Sequence, residues 1–362
     1  MAKNNQNTIA RKNYKPINKL NVLLIGPAPQ NIGGISIHMR RLIHLLNDSF
    51  NFNIIDEGHN KYPNIFNIRS LNIFVYTRSI IRADIVHIHS GISFLRLIHI
   101  VICALIFQKK TIVTIHRDPN RERHIKLTKW ALHYCSHIIT VSKEGYGTLL
   151  NNSPKNKYHL LPAFLPPILE EEPPIPEIVA KWIQERKAIK NSILLISNAW
   201  KLVMYNGEDL YGLDLCIEAM HCLHHSNSSQ NYFLIFVIAD SKEPRTLIEE
   251  YKSLIKKYSL EKHILIWEYP LSFAKLITQC DIVLRTTNTD GDAISIREAL
   301  FLGKKVIASD IVTRPKNTIL FKNRNISDLV KQIEENSISP FPNREDKEHT
   351  NFKEIYLNIY TK

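Results

Sequence analysis

The stretch Asn21-Val22-Leu23-Leu24-Ile25-Gly26-Pro27-Ala28-Pro29-Gln30-Asn31-Ile32-Gly33-Gly34 decides the reading of the fold. Its apolar residues are consecutive, the pattern of a strand buried on both faces in a parallel sheet. A turn follows, and then Ile35, Met39, Leu42, Ile43 and Leu46 form nearly a helical stripe over Ile35 to Leu46. Gly33 and Gly34 let the backbone approach a ligand closely, and the free amides of the next helix favour an anion such as a diphosphate. A Gly-Gly turn after a strand also serves as a plain turn. The segment is neither G-x-G-x-x-G nor a P-loop, which argues against a dinucleotide oxidoreductase or a kinase.

Working outward, similar apolar runs recur at Phe52 to Asp56, Ile85 to His89, Thr111 to Ile115 and Ile138 to Val141, with another helical pattern at Lys126 to Cys135. Alternating strand and helix predicts a doubly wound α/β lobe whose ligand crevice lies at the carboxyl ends of its strands. From Pro162 to Pro176 six prolines interrupt the pattern, marking a connector. The alternation then restarts, with strands at Ile193 to Ser197, Phe233 to Ala239, Ile264 to Trp267, Ile282 to Leu284 and Lys305 to Ala308. Helical patterns lie between them at Leu213 to Leu223, Pro244 to Tyr258 and Ser295 to Leu302. The expected organisation is a flexible basic tail (1–19), a first domain (20–165), a hinge linker (166–190), a second domain (191–340) and a terminal helix (341–362). Phe352, Ile355, Tyr356, Ile359 and Tyr360 form a stripe on that helix, which should bury it on the first domain. The fold class is therefore α/β, with two doubly wound Rossmann-like domains facing across a cleft.

A chain of 362 residues is long enough for two such cores. Charge is divided unevenly: residues 1–165 hold 22 Lys/Arg against 7 Asp/Glu, while residues 166–362 hold 25 against 27. A basic first lobe suits an anionic membrane surface, or is merely a solvated face. No stretch interleaves aromatics with basic residues as single-strand stacking platforms do, so nucleic acid is not expected as a partner. The five cysteines are scattered without C-x-x-C or Cys/His ligand spacing and read as reduced thiols of a cytoplasmic protein. Residues 1–19 lack the apolar core of a secretory signal, and the apolar run Ile92 to Phe107, broken by Arg96 and His99, is too short to span a bilayer.

The segment Asp290-Gly291-Asp292-Ala293-Ile294-Ser295-Ile296-Arg297-Glu298-Ala299 lies between two expected strands and sets two carboxylates, Asp290 and Glu298, on either side of a helix start. The amides of Ala293, Ile294 and Ser295 would face phosphate, with Asp290 and Glu298 reaching different ends of one ligand. Asp290-Gly291-Asp292 also has the D-x-D spacing that holds a divalent cation in other sugar transferases. With no further carboxylates clustered nearby, the metal-free reading is favoured.

These features resemble the family 4 GT-B glycosyltransferases, the retaining class that builds bacterial surface polysaccharides and glycolipids. The resemblance spans Asn21 to Phe321 and rests on Gly33-Gly34, Asp84-Ile85-Val86-His87-Ile88-His89, Thr114-Ile115-His116, Ile139-Thr140-Val141-Ser142 and the block from Asp290 through Ser309. It implies that Glu298 binds the nucleotide ribose, Asp290 a hydroxyl of the donor sugar, and that His116 lies beside the transferred sugar and phosphate. Asp290 replaces the glutamate usual in relatives. His87 and His89 read as packing or crevice-shaping residues. Relatives also carry an Arg and a Lys-Gly pair that hold the diphosphate, whereas here Asn198 and Tyr211 stand at those places. Lys201 is the first substitute by position, followed by Arg285 and Arg297.

The function so implied is transfer of a sugar, with retention, from a nucleoside diphosphate sugar, expected to be a UDP-sugar, to a saccharide or lipid-linked saccharide. The expected setting is the inner face of a bacterial cell membrane, reached peripherally, with no cofactor. Arg96, Lys109, Lys110, Arg117, Arg121, Arg123 and Lys126 are the candidate residues facing membrane and acceptor. A UDP-sugar epimerase of GT-B layout and a catalytically silent binding protein of the same fold remain as alternatives.

Overall fold

The structure, a computed structural model, describes residues 19–31, 33–116, 124–150, 155–226, 228–240, 245–290, 293–339 and 351–362. The first lobe runs β1 (Leu20–Gly26), α1 (Gly34–Leu46), β2 (Phe50–Asp56), β3 (Phe66–Asn67), α2 (Ile73–Arg82), β4 (Ile85–Ile88) and α3 (Ser93–Ile100). It continues with β5 (Lys110–Ile115), α4 (Ile125–Leu132), β6 (His137–Thr140), α5 (Lys143–Leu150) and β7 (Tyr158–Leu160). Its sheet has the order β3-β2-β1-β4-β5-β6-β7, and every pairing is parallel.

The consecutive apolar residues of β1 serve both faces. Val22 and Leu24 join the core under α1, while Leu23 and Ile25 join the core under α2, α3 and α4. Period-two geometry sends neighbours to opposite sides, so an unbroken run is what a doubly covered strand requires.

The second lobe begins with α6 (Glu177–Lys187) and β8 (Ser192–Ala199), followed by the hairpin β9 (Met204–Tyr205) and β10 (Glu208–Asp209), then α7 (Leu213–His225) and β11 (Asn231–Ile238). After these come α8 (Arg245–Lys257), β12 (Ile264–Trp267), α9 (Phe273–Gln279), β13 (Ile282–Arg285), α10 (Ile294–Phe301), β14 (Lys305–Ser309), β15 (Ile319–Phe321) and α11 (Ile326–Ile338). The parallel order β12-β11-β8-β13-β14-β15 gives it a second doubly wound sheet. Helices α7, α8 and α11 cover one side, and α6, α9 and α10 the other.

Helix α6 falls inside the segment read as hinge linker. Pro176 opens it, Glu177 lies in its first turn, Arg186 and Lys187 in its last, and Val179 and Ile183 bury one face against the second sheet. Those charges complement the helix dipole and the two apolar residues are one turn apart, so the segment packs as a helix and the connector is shorter than the prolines suggest. The chain closes with α12 (Phe352–Thr361), whose Asn351 side chain accepts from the Glu354 amide. Its Phe352, Tyr356, Ile359 and Tyr360 pack with Val22, Leu24 and Met39, so the helix lies on the first lobe. Residues 1–18 and 340–350, parts of the expected tail and closing segment, lie outside the described residues.

Candidate active site between the two lobes

Each sheet reverses its winding between two neighbouring strands, β1 and β4 in the first lobe, β8 and β13 in the second. Loops diverge at such switch points and leave a crevice at the carboxyl ends. The loop after β1 leads to Gly33 and Gly34, while Asn198 stands near the end of β8, and the loops after β8 and β13 carry Lys201 and Asp290. Contact between the lobes occurs there: a Cβ at Gly34 would lie 3.4 Å from Ile294 Cδ1. The N-termini of α1 and α10 therefore meet, and neither Gly33 nor Ala293 caps its helix with a side-chain hydrogen bond. Two helix N-termini without a side-chain cap, each the positive end of a helix dipole, thus open on one crevice, an arrangement suited to an anion. Ala293, Ile294 and Ser295 form the start of α10; Gly291 and Asp292 lie outside the described residues.

Asp290 is not an open carboxylate. Arg285 bonds it through Nε and Nη2 at 2.9 and 3.0 Å, Arg314 through Nη1 at 2.7 Å, and Thr287 Oγ1 donates at 3.1 Å. Burial alone would raise its pKa, but the two guanidinium groups outweigh that and hold it at about 2. Arg314 also bonds the Ser309 carbonyl and hydroxyl, which ties the cluster to the end of β14. Two cations against one carboxylate leave a net positive charge beside the uncapped α10. Arg285 further lies over the Tyr211 ring, 5.5 Å from its centroid. Tyr211, set by the family resemblance at the place of a lysine, thus supports a cation delivered by another strand.

Of the other expected second-lobe residues, Lys201 is exposed at the crevice rim. Asn198 gives its carbonyl to Arg285 Nη1 at 3.4 Å, and its buried Oδ1 has no hydrogen-bond partner among the described residues. A buried acceptor left open costs free energy unless a ligand donor fills it.

Glu298 is buried and accepts from Arg41 Nη2 of α1 across the cleft, at 2.5 Å. Burial pushes its carboxyl pKa up, against the lowering influence of Arg41. Arg41 also holds the Leu165 carbonyl at 3.0 Å, and the adjacent Arg40 bonds Glu172 at 2.9 Å, whose other oxygen accepts from Ser272. The carboxylate expected to bind ribose is thus engaged by the first lobe in this arrangement.

On the first-lobe side, His116 follows β5 at the crevice. Its Nε2 lies 3.1 Å from His89 Nδ1, and His38 and His87 complete a cluster with ring separations of 4.0 to 5.4 Å. His87 bonds Tyr360 of α12 at 2.7 Å and Thr114 at 2.8 Å, while His38 bonds the Ala163 carbonyl at 2.7 Å. Burial depresses all four, His38 to about 4 and the others well below the ordinary histidine value, so the rings are neutral at pH 7. Buried His89 Nε2 has no described partner. His116 can therefore offer a neutral ring nitrogen at the crevice, with α12 fixing the cluster behind it.

The expected membrane-facing residues separate. Arg96 is buried at 2% exposure and is not on any outer face; Lys109 caps α2 through the Ile81 and Ala83 carbonyls, and Lys110 caps α12 through the Tyr360 carbonyl. An ammonium group whose hydrogen bonds go to helix-end carbonyls is less available to a membrane. Lys126 is exposed, whereas Arg117, Arg121 and Arg123 lie outside the described residues. The sequence reading missed His38, Arg41 and Arg314. Gly34, His38 and Arg41 share a face at i, i+4 and i+7, a signal that could have found the first two. Arg314 stands in an irregular loop with no motif around it.

No protein-family model matches the chain, and no curated protein sequence does. Among solved structures it is similar to HepE from Anabaena in complex with UDP, at 14% identity and TM-score 0.64, covering 87% of this chain and 89% of that one. It is also similar to a glycosyltransferase from Rickettsia africae, at 16% identity and TM-score 0.62 over 88% of both chains. TarM aligns at 11% identity and TM-score 0.62 over 96% of this chain and all of that one. These likenesses, with two parallel doubly wound sheets in one chain, show that this protein has the GT-B fold.

Proposed function

We propose that this protein is a retaining glycosyltransferase that takes a sugar from a nucleoside diphosphate sugar, a UDP-sugar, and passes it to a saccharide or lipid-linked saccharide. The observation that carries the reading is the meeting of two uncapped helix N-termini beside the Arg285, Arg314 and Asp290 cluster. A departing diphosphate would be stabilised there by fixed amides and net positive charge, which cost no reorganisation as the bond breaks. Support for the donor comes from the similar HepE structures, solved with UDP and with UDP-glucose.

In this reading Glu298 takes the ribose hydroxyls once Arg41 has moved away. Asp290 sets the two arginines and faces the sugar, and His116 lies beside the transferred group. Asn198 Oδ1 accepts from the donor, and Lys201 closes on the phosphates from the rim. No metal is needed, because the Asp290 oxygens are engaged by two guanidinium groups that already supply the charge a divalent cation would bring. The reaction would take place at the cytoplasmic face of the membrane, in surface polysaccharide or glycolipid assembly.

A thermal-shift screen of nucleotide sugars, followed by transfer assays with the best donor in EDTA, tests the reading. UDP and one UDP-sugar should raise the melting temperature, since both bind only the folded state, and turnover should survive chelation. If chelation stops turnover and magnesium or manganese restores it, the metal-free account is wrong. UDP binding without transfer to any acceptor would select the catalytically silent alternative, which the engaged Asp290 and Glu298 favour.

A further inference from the structure

Helices α2, α3 and α4 lie on one side of the first sheet, burying Tyr76 and Ile80, Ile100, and Ala131 and Leu132 in a shared core. Tyr76 Oη and His99 Nδ1, 2.7 Å apart, join α2 to α3. The opposite side of the sheet is taken by α1 and α12. The outward surface of these three helices is unusual in two respects.

First, it displays large apolar side chains. Phe74 is 88% exposed and Leu71 82%, with Ile73, Phe94, Ile106 and Trp130 also exposed. Scattered single hydrophobes need no explanation, but three adjacent ones at the start of α2, on a face with more from its neighbours, mark an interaction site. Second, among the described residues from 58 to 143 the only Asp or Glu is Asp84, whose carboxylate accepts from the Asn21 amide. Arg69, Arg78, Arg82, Lys126 and Lys129 are exposed there.

We propose that the outward face of α2, α3 and α4 is a docking surface for an anionic lipid bilayer. Phe74, Ile73 and Leu71 would enter the boundary between headgroups and acyl chains, and the arginines and lysines around them would meet lipid phosphates. A second copy of the chain fits poorly, since pairing this face with itself would set five exposed cations against five, with Asp84 the one described carboxylate to offset them. Nucleic acid would match the charge but leaves Leu71 and Ile73 without a role, because aliphatic chains give bases no stacking platform. The proposal deepens the functional reading by naming the surface that would bring the protein to a lipid-linked acceptor. Of the basic residues expected from sequence it keeps Lys126, and it adds Arg69, Arg78, Arg82 and Lys129.

The test is co-sedimentation of the full chain with phosphatidylcholine vesicles, with and without phosphatidylglycerol, over a range of salt concentration. Phosphatidylglycerol should raise bound protein, and salt should lower it. Ile73→Ser/Phe74→Ser and, separately, Arg78→Gln/Arg82→Gln should each weaken partitioning by roughly tenfold or more, with the melting temperature unchanged. UDP thermal shift, read on the same variants, should not change, so failure of the donor reading shows in the shift and failure of this one in the vesicles. Equal partitioning of both variants and the parent chain would overturn the proposal. So would indifference to phosphatidylglycerol, self-association abolished by the same substitutions, or binding of duplex DNA in place of vesicles.

Discussion

Asp290 receives three hydrogen bonds from Arg285 and Arg314, and each arginine depends on it for counter-charge. Replacing it by Asn keeps the shape but leaves two buried guanidinium groups uncompensated, and breaking a buried pair this way costs about 3–5 kcal/mol. Asp290→Asn should therefore lower the melting temperature clearly as well as reduce turnover, as denaturation and transfer assays would show. A variant as stable as the parent would mean that the clamp does not exist in solution. Glu298 and Arg41 make a second testable pair. Arg41→Met should leave the Glu298 carboxylate buried without its cation, destabilising the ligand-free protein; ribose hydroxyls would then relieve more of that cost. UDP should raise the melting temperature of Arg41→Met by more than it raises that of the parent. Glu298→Ala should lose UDP affinity by about tenfold or more, because the ribose hydroxyls lose a charged acceptor. Unchanged affinity in titration calorimetry would remove Glu298 from the donor site. Both carboxylates could be picked out in sequence, as could Arg285 five residues from Asp290, but Arg314 and Arg41 could not, because they lie 24 and 257 residues from the carboxylates they bond.

At the scale of elements, Gly212 shows how closely the second lobe is built. It precedes α7 with φ of 72°, and a Cβ there would come within 2.3 Å of the Thr286 carbonyl oxygen. Both the left-handed backbone and the contact exclude a side chain. Gly212→Ala should destabilise the protein severely, by several kcal/mol, seen as a large drop in the denaturation midpoint. A drop no larger than that of a surface Gly→Ala substitution would contradict the packing of α7 on β13. Long buried strands such as β1, β8 and β11 were legible from their apolar runs. The two- and three-residue edge strands β3, β7 and β15 were not, since so few residues carry no period. Helix α6 was hidden because prolines at 173, 174 and 176 precede it, although proline at a helix start is permitted.

Over the whole molecule, the buried histidines couple stability to pH. His38, His87, His89 and His116 have folded-state pKa values below that of an unfolded chain, mainly through burial. The unfolded state therefore binds more protons in the interval between, and stability falls as pH drops below about 6.5. For His38 the window runs down to about 4. Each such histidine contributes up to about 1.4 kcal/mol per pH unit within its window. The melting temperature should fall steeply between neutral and mildly acidic pH, and His38→Gln should flatten that slope by close to one proton. A flat profile in the parent protein would mean that the cluster is solvated. Because Tyr360 of α12 bonds His87, acid should release α12 along with the cluster.

The order of strands and helices, the division into two lobes and the buried stripe of α12 were all determined by the sequence, because hydrophobic periodicity is a local property that each element carries within itself. The motif segments around Gly33, His116 and Asp290 to Glu298 could be singled out from their local spacing, while their roles rest on the proposed function. Only the tertiary structure decided which charges remain available, because neutralisation depends on groups brought together from distant segments. Arg96, Lys109 and Lys110 look like surface cations in one dimension; in three, Arg96 is buried and the two half-buried lysines bond helix-end carbonyls. Phe74 and Leu71 look like core residues and are exposed. A side chain's type states what it would pay to be buried, but only the packed chain determines whether it is.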